Sequence, residues 1–160
     1  MNVNKYFFLS HAKIFSMLIT SPSFAHNAMI PPKYTCQGED INPPLEIAGL
    51  PPETQSLVLI NDDPDAPGAT WDHWIVYNID PTEAIAENSV PGLQGKNSWG
   101  RNAYGGPCPP SGTHRYFFKL YALDTRLNLK EGAGKKQVET AMQGHILEQA
   151  ELIGLYKKSR

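Results

Sequence analysis

Proline is placed so that much of this chain is barred from helix. The pairs Pro31-Pro32, Pro43-Pro44 and Pro51-Pro52 fix φ, remove backbone donors and push the residues before them into extended backbone. In all, fourteen prolines and thirteen glycines are spread along 160 residues instead of gathering in one tract. They read as turns between short strands, not as disorder. With 41% hydrophobic and 19% charged residues, the chain has material for one core. The expectation is a single, mainly β domain over residues 17–160, behind a poorly defined extension over residues 1–16.

Between the turns lie a few apolar runs of strand length. Met17 to Thr20 suits an edge strand, because Ser21-Pro22 stops it. Leu57-Val58-Leu59-Ile60 is continuously apolar, as in a strand covered on both faces, and Asn61-Asp62-Asp63 should end it. Trp71 to Ile79 and Arg115 to Leu123 are rich in aromatic and β-branched residues and predict two more strands. Val138, Met142, Ile146, Ala150 and Ile153 recur at spacings of four and three with glutamates between them, which predicts one C-terminal amphipathic helix lying against the sheet.

A formal charge of −2 argues against nucleic acid and against acidic membranes as general partners. Cys36 and Cys108 lack metal-knuckle spacing and are read as buried free thiols, with a single disulfide as the alternative in an exported protein. Lys5 followed by Tyr6-Phe7-Phe8-Leu9, ending in Ser23-Phe24-Ala25, imitates a signal peptide, but His11 and Lys13 interrupt it. The apolar part is far shorter than the roughly 20 residues of a membrane span. The expected location is cytoplasmic, or periplasmic or secreted if that segment is a signal, and an integral membrane protein is not expected.

Chemistry-bearing residues collect where strands meet two long loops. Asp63 and Asp65 follow the first central strand, His73 opens the second and His114 opens the third. The end of one strand and the start of its antiparallel neighbour share a sheet edge, so Asp63 and His73 should be neighbours, and His114 joins them if its strand runs in the sense of the second. Alternation puts Tyr116 on the face of His114, and Ile75 and Tyr77 on the face of His73. In the loop from Tyr104 to Thr113, prolines fix the backbone, and glycines such as Gly106 allow close approach and leave amides for an anion. A carboxylate beside an imidazole favours its cation and orients the ring. Asp63 is therefore read as the orienter of two imidazolium rings, with Asp65 a second orienter or a loop brace.

Asp63-Pro64-Asp65-Ala66-Pro67 with His73, and Gly106-Pro107-Cys108-Pro109-Pro110 running into Gly112-Thr113-His114-Arg115-Tyr116, resemble the two signature segments of the phosphatidylethanolamine-binding proteins. Ile30-Pro31 to Gly38, Tyr116 to Asp124 and Gly144 to Gly154 resemble the bacterial YbhB/YbcL branch, named after Raf kinase inhibitor-like proteins. The resemblance implies a large antiparallel sheet packed with a smaller one, a first strand from Leu18 to Phe24, and a pocket for phosphate, acetate or a phospholipid head group. By matching positions it assigns Asp63, His73, Pro110, His114 and Tyr116 to that pocket. A regulatory or kinase-inhibitor-like role stays open in this expectation, weakened because eukaryotic members add a C-terminal helix whose tyrosine helps close the pocket and this chain is expected to end at Arg160 without it.

That expectation is a non-enzymatic protein with no cofactor and no metal, whose partner is a small anion. A protein partner and a homodimer stay open. Two histidines and a carboxylate also suit a metal-dependent hydrolase, although HExxH, a nucleophile elbow and a P-loop are all missing. A protein-interaction module using the Pro/Gly rim is the third alternative. His145 is read as structural, and His11 and His26 carry no signal.

Overall fold

The structure is a computed structural model and describes residues 16–160. Most of the signal-like segment, including Lys5, His11 and Lys13, lies outside the described residues. The elements in chain order are β1 (Leu18–Thr20), β2 (Ala28–Met29), a 3-10 turn (Pro32–Tyr34), β3 (Leu45–Ala48), β4 (Ser56–Asp63), β5 (Trp71–Ile79), β6 (Ala84–Ile85), β7 (Leu93–Gln94), β8 (His114–Leu123), α1 (Lys135–Met142) and β9 (Ile146–Tyr156). One sheet has the order β2-β9-β8-β4-β5-β7 and the smaller one β1-β3-β6. Both are antiparallel except that β2 runs parallel to β9. Among the described residues no helix is long and apolar enough to cross a membrane.

The apolar run in β4 explains the layering. Leu57 and Leu59 face a core shared with Ile19, Leu45 and Ile47 of the small sheet, while Val58 and Ile60 face a second core with Val138 and Met142 of α1. A strand buried on both faces needs no polar alternation. β4 does end in Asn61-Asp62-Asp63, and these polar residues find partners inside. Asn61 Nδ2 donates to Phe117 O at 2.9 Å. Asp62 accepts from Lys119 at 3.1 Å and Lys135 at 2.7 Å, and Lys135 also reaches Asp72 at 3.0 Å. Burial works to lower the pKa of Lys135, yet these carboxylates raise it on balance.

Two expectations need correction, and with the first of them one strand boundary. The C-terminal helix ends at Met142, and residues 146–156 form the long strand β9. Ile146, Ala150 and Ile153 fit a helical period by coincidence. The pattern that governs is period two, with Leu152, Gly154 and Tyr156 all buried on one face. Ten register pairs with β8 outweigh the local preference. Gly144, at φ +79°, turns the chain between helix and strand. The first strand is also shorter than the resemblance implied, ending at Thr20, with Phe24 buried beyond it.

The second correction concerns the thiols. Cys36 and Cys108 form a disulfide with Cα atoms 5.5 Å apart, and both residues are exposed. Their 72-residue separation carried no hint of this. Proximity follows from the docking of the 104–107 loop on the 34–40 segment, where Tyr104 Oη donates to Tyr34 O at 2.7 Å, Gly106 N to Asp40 Oδ1 at 2.8 Å and Cys36 N to Pro107 O at 3.1 Å.

Gly144→Val should cost about 1–2 kcal/mol, the penalty for a β-branched residue in left-handed backbone. Urea denaturation measures it, and an unchanged midpoint would refute the role given to this turn.

Candidate functional site

β5 and β8 both run antiparallel to β4, so their first residues flank its last. This brings Asp63, His73, His114 and Tyr116 to one sheet edge, as the topology argument required. They line a cavity of about 310 Å³ together with Ala66, Pro67, Trp71, Trp99, Cys108, Pro109 and Pro110.

Simple alternation would have failed at His73. The register runs Asn61↔Trp74 and then Asp62↔Asp72, so His73 is an extra residue in β5. Such a bulge re-aims a side chain. Ile75 and Tyr77 point into the core under α1, contrary to the expectation that His73 shares their face. His73 lies instead edge-on to Tyr116, with ring centroids 5.2 Å apart.

The two histidines are held differently. His114 Nδ1 meets Asp63 Oδ2 at 2.7 Å, with both groups buried. The other oxygen of Asp63 accepts the Asp65 amide at 2.8 Å. His73, 3% exposed, places Nδ1 2.7 Å from Gly105 O, and because a carbonyl can only accept, Nδ1 carries the proton. Burial pulls its pKa below the ordinary histidine value even though the Gly105 carbonyl and the Asp63 charge push upward. The expectation of two imidazolium rings is therefore corrected, since His73 is a neutral ring at pH 7.

Tyr116 is 1% exposed, and its hydroxyl meets neither the Asp63 carboxylate nor the Cys108 backbone with hydrogen-bond geometry. Burial, reinforced by the charge of Asp63, raises its pKa, so the phenol keeps its proton. It is a buried donor without an acceptor at the cavity wall.

Asp65 does not line the cavity. It takes the Arg115 amide at 3.0 Å and the guanidinium at 2.9 and 2.8 Å, which selects the loop-brace role. The hydrogen bonds from Arg115 hold its pKa at about 2. Gly106 is not a ligand donor either, because its amide is spent on Asp40 and the Gly105 amide on His73 O. A Cβ on Gly106 would lie 2.3 Å from Tyr34 O, so this glycine serves close approach. Pro110 lines the cavity.

Residue-by-residue reading missed the tryptophans. Trp99, 41% exposed, stands edge-on to His73 at 5.0 Å and to Trp71 at 5.6 Å, and Trp71 is 36% exposed. The turn carrying Trp99 is held by Asn97, whose Oδ1 accepts the amides of Trp99 and Arg101 at 3.0 Å and whose Nδ2 donates to Ala103 O at 2.8 Å. An asparagine two residues before an exposed tryptophan was the available signal. Among the described residues no three His, Cys, Asp or Glu side chains are grouped as a metal set.

Comparison with known proteins agrees with this architecture. The family model for phosphatidylethanolamine-binding protein matches residues 20–157, and the chain belongs to that family. It is 51% identical to a UPF0098 protein of Pyrococcus horikoshii, over 88% of this chain and 77% of the relative. It is 50% identical to a UPF0098 protein of Methanothermobacter thermautotrophicus, over 89% and 99%. The crystal structure of a putative phosphatidylethanolamine-binding protein homolog from Chlamydia trachomatis superposes with a TM-score of 0.88 at 46% identity, covering 90% of this chain and 99% of that one. E. coli YbcL, described as a new member of the mammalian family, superposes with a TM-score of 0.83 at 26% identity, covering 91% and 100%.

The depressed pKa of His73 makes stability pH-dependent. An unfolded chain takes up this proton near pH 6.5, whereas the folded chain resists it until a lower pH. The stability that His73 contributes is complete above about pH 6.5 and is lost as pH falls from there to its folded pKa. The urea midpoint should drop between pH 7 and 5, and His73→Gln should flatten that slope. An identical slope in the variant would overturn the assignment.

Proposed function

We propose that the cavity binds a small oxyanion, a phosphate or the phosphate of a phospholipid head group, and that the protein acts by binding and not by catalysis. The observation that carries this reading is the Tyr116 hydroxyl, protonated and without an acceptor, beside His114. Leaving such a donor buried and unmet costs about 1–3 kcal/mol, a cost that a bound oxygen removes. His114, seated on Asp63, is the ring that can bring positive charge to the ligand. Pro67, Pro109, Pro110 and Trp99 supply a stiff rim, which keeps the ordering cost of binding low.

Calorimetric titration with inorganic phosphate tests the proposal. The native protein should bind, and Tyr116→Phe and His114→Ala should each weaken binding about ten-fold or more, the range for a hydrogen bond to a charged group. Phosphate affinity unchanged in both variants, or absent in the native protein, would overturn it. Competition by vesicles containing phosphatidylethanolamine separates a head group from free phosphate.

A further inference from the structure

Cys108 lines the cavity, and its partner Cys36 belongs to a different part of the chain. The Cys36 side is a fixed platform. Thr35 N donates to Pro32 O at 3.0 Å, Gly38 N to Thr35 O at 3.0 Å and Asp40 N to Lys33 O at 3.0 Å. Gln37 binds the Tyr156 hydroxyl and exchanges two hydrogen bonds of 3.0 Å with Ser159. The Cys108 side is poorer in tethers, because Pro107, Pro109 and Pro110 have no N–H to donate. The disulfide is the covalent anchor of this wall. Trp99 depends on the same loop, since its ring lies 2.4 Å from where a Cβ on Gly105 would sit.

We propose that the Cys36–Cys108 bond is a thiol–disulfide exchange site for an external dithiol, and that opening it loosens the Cys108–Pro110 wall and weakens ligand binding in the cavity. The effect on ligand rests on the oxyanion reading above. Both cysteines are exposed, as exchange requires. One thiolate of the dithiol attacks one sulfur of the bond, and the other cysteine leaves as a thiolate. The second thiol of the reagent then displaces the first cysteine from the mixed disulfide. Two electrons and two protons pass from the dithiol to Cys36 and Cys108, and the reagent ends as a disulfide. An oxidising compartment keeps the cavity wall closed, and a glutathione-buffered one opens it.

The test uses the full chain, oxidised, then reduced with dithiothreitol and then reoxidised. The bond should open without denaturant while cooperative thermal unfolding persists. Phosphate affinity should fall about ten-fold or more on reduction and return on reoxidation, and amide exchange across residues 104–113 should accelerate by a similar factor. The double variant Cys36→Ser, Cys108→Ser should behave as the reduced protein, independently of the reagent. A bond that opens only on unfolding, a reduced protein that loses its fold, or equal affinity and equal exchange in both states would overturn the proposal. If the oxidised protein binds no phosphate, the oxyanion reading fails alone. The exchange comparison then decides the latch, with unchanged protection at 104–113 counting against it.

Discussion

His73 and Trp74 stand opposite a single residue of β4, Asn61, and that extra residue decides where an imidazole points. Without it, His73 would follow Ile75 and Tyr77 into the apolar core under α1, where a polar ring has no evident acceptor. With it, the ring reaches Gly105 O and meets Tyr116 and Trp99 edge-on. The bulge is thus the means by which a sheet buried on both faces spares one strand end for polar chemistry. The sheet tolerates it because the neighbouring pair, β4 with β8, keeps regular register through Asp62↔Phe117.

A carboxylate in a cavity proposed to take an anion is a paradox only if its charge is free. Asp63 spends one oxygen on His114 Nδ1 and the other on the Asp65 amide, so both of its oxygens are engaged within the protein. Asp65 in turn is neutralised by Arg115. The turn after β4 is consequently tied to β8 twice, by Arg115 to Asp65 and by Asp63 to His114. These ties fix the turn and the ring together, so neither waits to be ordered by a ligand.

The sequence was informative wherever a local rule and the tertiary fold agreed. Leu57–Ile60 reads as a doubly covered strand because continuous apolarity has one common cause in a β-rich chain, and the structure places it between two cores. Asp63 and His114 were legible because strand ends in an antiparallel sheet have few places to go. Reading failed where a distant partner overrode the local pattern. β9 carries a residue spacing that suits a helix, yet pairing along β8 and the seat of Gly154 beneath Ile30 and Phe24 demand a strand. The state of the cysteines and the neutral charge of His73 depend on burial and loop docking, which no spacing encodes.

The site divides its tasks by element. Asp63, His73, His114 and Tyr116 stand on strands, where ladder hydrogen bonds hold each Cα, although the His73 ring also leans on Gly105 O of the loop. Shape comes from loops: Trp99 on a turn held by Asn97, and Pro109 and Pro110 on a segment held by a disulfide. A loop made stiff by proline, an asparagine side chain and a covalent bond loses little entropy when a ligand arrives. It can still be altered by changing one bond without disturbing the strands. Chemistry and access thus rest largely on different elements, and that division makes a covalent control on the rim compatible with Asp63, His114 and Tyr116 keeping their places on β4 and β8.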